Sequence, residues 1–439
     1  MTAPDLRPIV EAKRDARTLA PEEVETFVSA FSRGEVSSEL AAAFLMAAYI
    51  RGLSGVETLA LARAMVASGR TLPLAGVSRP KLDKHSTGGV ADGVTLVLAP
   101  LVASVGLGMA KLSGRGLGHT GGTIDKLESI PGLRTDFTAE ELERQVEEVG
   151  CAVAGQSPDL VPADGGLYAL RDATATVPSA PLIAASVMAK KLAVGSDLIL
   201  LDVKAGSGAF MKDEASAREL AEACIEIARA SERRAVAAVT DMSQPLGCAI
   251  GNALDVAEAI EVLSGGESPA PHLRDLAISF AVRALVELSG EEPDRAERRA
   301  RDALASGAAL SSFARMVEAQ GGDPRVAEQP AQVLPVAPVQ LPVTAMSDGY
   351  LQTVDAAALG RASMVLGAGR ARKGGGIDAA VGIVFTPKVG DRIEAGQEVA
   401  MVHARDADAA SEASRRVLEA MTLSDSPQNP TPLIHGWVE

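Results

Sequence analysis

Apolar positions in the first 70 residues recur at helical spacing. Pro21 opens a stretch in which Val24, Phe27, Val28 and Phe31 share one face. Ser37 or Ser38 can cap a second helix, AAAFLMAAYI, which stops at Gly52. Ser54 and Glu57 form an S-x-x-E capping box for a third helix ending near Gly69. Ala41 to Ile50 is apolar on every side, so this helix belongs in a core or a subunit interface, and we favour the interface. From about residue 80 the pattern changes to short apolar runs between glycine turns. MAKLS (109–113), AVAG (152–155), DLILLDVK (197–204) and AVAAVTD (235–241) read as buried strands. Helical stretches lie between them at about 94–107, 139–149, 214–231 and 252–263, the second capped by Thr138 and Glu141.

Strand alternating with helix predicts an α/β domain with a mainly parallel sheet over residues 80–161 and 194–328. The stretch 162–193 contains PLIAASVMAKKLA, which is again helical, and is expected to join residues 1–70 as an insert in a small helical domain. Pro330, Pro335, Pro338 and Pro342 mark 329–342 as a connector. Beyond it, residues 343–439 alternate in the manner of β-strands and predict a smaller, β-rich C-terminal lobe.

Composition narrows the function. The 439 residues are 47% hydrophobic and 23% charged, enough for a large core. The net charge of −15 and only 3% aromatics argue against a nucleic-acid partner. Cys151, Cys224 and Cys248 are isolated, with no CxxC pair, so neither a thiolate metal cluster nor a disulfide framework is expected. The N-terminal sequence has no apolar signal core, and the uncharged run Gly93 to Ala110 is broken by Pro100, Gly106 and Gly108. No membrane partner is read, and a cytoplasmic enzyme is expected.

The chemistry concentrates between Arg79 and Lys126. Six basic residues face three acidic ones there, a local excess of +3 inside a chain of −15. KHSTGG, Lys84 to Gly89, offers an ammonium, two hydroxyls and free amides in one turn, which suits a phosphate. SGRGLGHTGGTIDKLE, Ser113 to Glu128, contains G-x-G-x-x-G at Gly116, Gly118 and Gly121. It is not a dinucleotide fingerprint, because Pro131-Gly132 ends the segment within two turns and leaves no crossover helix. Ser113 and Thr123, which bracket the loop, suggest a second wall for the same anion. In RDATATVPSAPLIAASVMAKK, Ser186 and Lys190 are four apart and share a helix face. With Arg171, and Tyr168 as a stacking ring, they could form a polar cationic patch. DVKAGSGAF and MSQPLGCAIGNA place further loops at strand ends, where open α/β sheets bind ligands.

The run KHSTGGVADGVTLVLAPLVASVGLGMAKLSGRGLGHTGGTIDKLESIPG resembles the signature of the pyrimidine-nucleoside and thymidine phosphorylases. The likeness extends through YALRDATATV, DVKAGSGAFM and MSQPLGCAIGNA to the VGIV…GDRIEAG region. It implies a helical lobe that binds pyrimidine and mediates homodimer formation, and an α/β lobe that binds phosphate. Closure of the two lobes then lets phosphate attack C1′ and release the base. Lys84, Ser86, Thr95, Ser113 and Thr123 match the family's phosphate ligands, and Lys111 belongs to the same wall. His85, Tyr168, Arg171, Ser186 and Lys190 match the pyrimidine side, with His85, Arg171 and Lys190 catalytic. Arg171 and Lys190 would stabilise the charge of the departing base, and His85 would protonate it.

Lys111, two residues before Ser113, resembles the broader enzymes that accept uridine, thymidine and deoxyuridine. The alternatives are a narrow 2′-deoxy-specific thymidine phosphorylase and a phosphoribosyltransferase of the same architecture. No cofactor is expected beyond inorganic phosphate as co-substrate. The broader enzymes can hold potassium at positions matching Ala91, Gly93, Leu246, Ala249 and Glu258, but Gly93 stands where the family usually has threonine. The last lobe resembles the hammerhead of lipoyl and biotinyl carriers. Lys388 lacks the flanks of a modified lysine, so the lobe is read as structural.

Overall fold

A computed structural model describes residues 5–116, 121–157, 159–266, 270–370 and 375–439. Gly118 and His119 of the glycine-rich motif lie outside the described residues. The chain opens with four helices, α1 (Arg7–Arg14), α2 (Pro21–Ser32), α3 (Ser38–Arg51) and α4 (Gly55–Ala67). Ser37 caps α3, and the Ser54–Glu57 box closes the start of α4. Glu57 then does a second job. Its carboxylate pairs with Lys13 of α1 at 2.7 Å and accepts the Leu19 N–H, so one buried acid ties three segments together.

The second lobe starts with β1 (Lys81–Ser86), α5 (Val94–Ser104), β2 (Gly108–Ser113), α6 (Thr123–Leu127), α7 (Ala139–Val149) and β3 (Cys151–Gly155). Two helices, α8 (Pro162–Ala173) and α9 (Ala180–Leu192), leave this lobe and pack on α2, α3 and α4. The chain returns through β4 (Leu198–Ala205), α10 (Glu214–Ala230), β5 (Ala235–Asp241), β6 (Ala249–Ile250) and α11 (Asn252–Leu263). Three long helices follow: α12 (Pro271–Ser289), α13 (Pro293–Ala305) and α14 (Ala308–Ala319). The C-terminal lobe holds α15 (Pro330–Val333), β7 (Val339–Thr344), β8 (Gly349–Val354), α16 (Ala356–Leu366), β9 (Gly382–Phe385) and β10 (Arg392–Ile393). It ends with β11 (Glu398–Ala404), α17 (Ala407–Glu419), β12 (Met421–Ser424) and β13 (Ile434–Val438).

The main sheet runs β5-β4-β1-β2-β3 in parallel, with β13 added antiparallel to β5. Every residue of β4 is buried, and alternate side chains feed different cores. Leu198 and Leu200 join the core built with α5 and α11–α14, whereas Ile199, Leu201 and Val203 join the one built with the N-terminal helices, α9 and α10. From β1 the chain winds outward through β2 to β3, then crosses back to β4 and winds outward to β5. The reversal lies between β1 and β4, and a doubly wound sheet opens its ligand crevice beyond the carboxyl ends of such a pair.

Two boundaries differ from the pattern reading. Residues 329–342 are not only a connector, because their second half enters β7. The β-rich C-terminal lobe expected over 343–439 is present but is not built of strands alone. It carries two helices, α16 and α17, packed on each other, and its last strand leaves to extend the main sheet. β13 is hard to see in sequence because IHGWV is short and follows the proline-rich stretch QNPTP.

Candidate active site

The carboxyl ends of β1 and β2 open into a cleft of about 390 Å³ between the sheet and helices α8 and α9. His85, Ser86, Thr95, Lys111, Ser113 and Thr123 line its sheet side, and Tyr168, Arg171, Ser186 and Lys190 its helical side. Lys84 does not line it.

Strand alternation explains that exclusion. Lys84 points to the opposite face from His85 and is fully buried, with its ammonium 2.9 Å from Asp202 Oδ2. Lys204 Nζ sits at the same distance from the same oxygen, and Thr240 Oγ1 donates to Asp202 Oδ1 at 2.7 Å. Lys84 therefore stands behind the phosphate turn, where it can bind an anion only through the field it contributes.

The turn after β1 is built by its own side chains. Ser86 Oγ donates to Asp92 Oδ2 at 2.7 Å and accepts the Gly88 N–H at 3.2 Å. Thr87 Oγ1 accepts the Lys204 N–H, which ties the turn to β4. Gly88 has φ +93°, and Ala91 adopts φ +53°, a left-handed conformation costing an alanine about 1–2 kcal/mol. Asp92 was not singled out in the sequence, although it lies in the cleft. Burial alone would raise its carboxyl, but Lys204 and Lys84 outweigh that and hold it well below the usual carboxylate range.

The cleft is rich in cations, and they act on each other. Burial, then Lys191, Lys111 and Lys190, pushes His85 well below its ordinary value, so the imidazole is neutral before phosphate binds. Lys111 Nζ donates to the Leu112 carbonyl at 2.7 Å, and burial and Lys191 push its ammonium well down too. A dianion would reverse both effects.

At the helical end Arg171 is buried and donates to the Leu182 and Val177 carbonyls at 3.0 and 2.7 Å. Its guanidinium lies 5.7 Å from the Tyr168 ring centre. Lys190 bonds Ser186 Oγ at 2.9 Å, one turn earlier, and pairs with Asp164 Oδ2 at 2.5 Å. Asp164 is the second acid that the sequence did not expose, because its partner is on another helix, 26 positions away by number.

The five positions considered for potassium gather outside the cleft. The Gly247 N–H donates to the Ala91 carbonyl, and the Leu246 N–H to that of Val90. Glu258 Oε1 accepts from Cys248 and Ala249 N–H at 2.6 and 3.0 Å, and Oε2 has no hydrogen-bond partner among the described residues. Burial pushes this carboxyl up to about 7. Lys388 reaches the same loop, donating to the Pro245 and Gly247 carbonyls at 2.7 Å each. Its ammonium is buried, so it is no attachment point for a carried cofactor.

Family models match three segments in order. A "Glycosyl transferase family, helical bundle domain" covers residues 7–69, a "Glycosyl transferase family, a/b domain" covers 78–310, and a "Pyrimidine nucleoside phosphorylase C-terminal domain" covers 350–424. The class is thus a two-lobed glycosyl transferase with a cationic, hydroxyl-lined cleft between the lobes. The pyrimidine-nucleoside phosphorylase of Geobacillus stearothermophilus is 44% identical over 430 residues, spanning 98% of this chain and 99% of that one. The thymidine phosphorylase of Agrobacterium fabrum is 44% identical over 419 residues, 95% of each. This chain belongs to the pyrimidine-nucleoside phosphorylase family. Anthranilate phosphoribosyltransferase from Thermus thermophilus shares the fold, with a TM-score of 0.57 at 21% identity over 73% of this chain and 99% of that one.

Proposed function

We propose that this enzyme cleaves uridine, thymidine and deoxyuridine with inorganic phosphate, giving the free base and a pentose 1-phosphate. A phosphate oxygen forms the new bond to C1′ as the C1′–N1 bond breaks. The electron pair leaves with the base, which then gains a proton. The observation that carries this reading is the division of one cleft. Hydroxyls and Lys111 gather at the strand ends, while Arg171, Ser186 and Lys190 gather on the facing helices.

Each end then has a task. Thr95, Ser113 and Thr123 supply neutral donors for phosphate, Ser86 can join them by giving up its bond to Asp92, and Lys111 supplies charge. Arg171 and Lys190 meet the carbonyl groups of the base and stabilise the charge it gains in the transition state. His85 is neutral before phosphate binds, so it becomes a proton donor only once the dianion has favoured its charged form. Phosphate itself is the nucleophile, so the reading needs no cofactor. Lys111 supports the broader substrate range.

The residues do not fit a full potassium shell. Glu258 Oε2 is one oxygen without a hydrogen-bond partner among the described residues. Gly93, however, brings no side-chain oxygen, and its carbonyl already accepts from Leu96 and Val97. Lys388 favours the charged form of Glu258, but burial disfavours it more.

A second copy of the chain is the proposed partner. Met46, Tyr49 and Ile50 on α3, with Val56 at the start of α4, expose apolar surface on the helical lobe. Mixing the protein with uridine or thymidine and phosphate tests the activity. Phosphate-dependent base release from both supports the broad reading, release from thymidine alone supports the narrow one, and no release from either overturns the proposal.

A further inference from the structure

Arg370 belongs to the C-terminal lobe, between α16 and β9, and does not line the cleft. Its Nη1 nevertheless donates to Asp125 Oδ2 at 2.7 Å. Asp125 lies on α6, two residues after Thr123, and is 3% exposed. The same oxygen accepts the Gly116 N–H at 2.7 Å, and Oδ1 accepts Arg115 Nη1 at 3.2 Å. One buried carboxylate thus binds the outgoing limb of the glycine-rich segment to the returning one. The limbs are already in contact, since a Cβ on Gly122 would stand 2.0 Å from Gly116 N and 2.7 Å from Asp125 Oδ2.

The two guanidinium partners are not equivalent. Arg115 is half exposed and also engages Glu128, so water and a competing acid weaken its hold on Asp125. Arg370 has a side chain only 13% exposed. Without it, the buried Asp125 charge would lose its better partner and the limb-to-limb bond would loosen. Lys126, the next residue, donates to the Asp92 carbonyl at 2.8 Å and to Asp255 Oδ1 at 2.6 Å, so α6 is also fastened to the turn that carries Ser86. A shift of α6 is therefore felt at both walls.

We propose that Arg370 is a positioning residue of the phosphate site, acting through Asp125 to hold Ser113 and Thr123 where phosphate is received. The C-terminal lobe then takes part in substrate binding and is not only a scaffold. This rests on reading Ser113 and Thr123 as phosphate ligands.

The test uses the full chain with Arg370→Gln and Arg370→Lys, measuring KM for phosphate and for uridine separately. Arg370→Gln should raise the phosphate KM about tenfold while the uridine KM stays within about twofold. Arg370→Lys should fall between, because an ammonium restores charge without the guanidinium's reach. A phosphate KM unchanged in both variants, or equal rises in both KM values, overturns the role of Arg370. Should Arg370→Gln not fold, Arg370→Lys alone decides, with a rise of about two- to fivefold expected and none contradicting it. A parent chain that releases no base fails the phosphorylase reading instead. Calorimetric titration with inorganic phosphate then reads the Arg370 effect without turnover.

Discussion

Asp164 on α8 holds the ammonium of Lys190 on α9 at 2.5 Å. The pair fixes where that charge stands before any base enters the cleft. Both residues line the cleft, but Asp164 is buried whereas Lys190 keeps a quarter of its side chain exposed, so the cation is the more accessible half of the pair.

Lys190→Ala should lower kcat by about 10²-fold, because a donor matched to developing charge acts mainly in the transition state. Asp164→Asn keeps the ammonium but frees its position, and a smaller loss of about tenfold is expected. The phosphate KM should stay near the parent value in both. Steady-state kinetics decides, and a kcat within twofold of the parent for Lys190→Ala contradicts the role.

Phosphate binding should take up protons when measured above the second ionisation of phosphate, where the free ion is already the dianion. His85 and Lys111 both lie well below their ordinary values before phosphate binds, through burial and neighbouring lysines. A dianion favours their charged forms, so each pKa rises on binding. Calorimetry in buffers of different ionisation enthalpy measures the uptake. His85→Asn and Lys111→Met should each reduce it, and no uptake in the parent contradicts the electrostatic account.

Lys84→Ala should act on stability first. It removes one of two cations from the buried Asp202 and should cost about 3 kcal/mol. Its effect on phosphate KM follows from the loosened turn and the lost field. Ser113→Ala should weaken phosphate binding with little change in Tm. Thermal melts alongside the kinetics separate the two, and an unchanged Tm for Lys84→Ala contradicts its buried, structural placement.

The sign for Glu258 runs the other way from a salt-bridged acid. Its folded pKa is raised to about 7, so its contribution is fully present below the unfolded value and lost as pH rises through 7. Glu258→Gln should remove that part of the fall in Tm between about pH 5 and 8. Parallel Tm–pH curves for parent and variant contradict it.

Ile50→Asp should split the proposed dimer, because it places a charge on the exposed apolar face of α3. Sedimentation velocity reads the change from a two-chain to a one-chain species. A parent that already sediments as one chain contradicts the interface.

The helices and buried strands were largely legible, because their apolar residues follow one period. β1 was not. KLDKHS buries Asp83 and Lys84 as fully as Leu82, and each charge is satisfied by a residue far along the chain, Asp83 by Lys191 and Lys84 by Asp202. A strand stabilised by distant ion pairs has no local signature. The same reason hid Asp164 and Arg370, whose partners lie on other elements. The motifs on the cleft wall could be read because their glycines and hydroxyls stand close together in sequence. Lys84 sits inside such a motif, yet its strand turns it toward Asp202 and away from the cleft.

The most direct test is the fate of phosphate oxygen. The enzyme, given uridine and phosphate labelled with 18O, should yield free uracil and ribose 1-phosphate in equal amounts. The label should be retained in the oxygen that bridges C1 and phosphorus. Free ribose carrying oxygen from water, or base release that proceeds equally without phosphate, would contradict phosphorolysis.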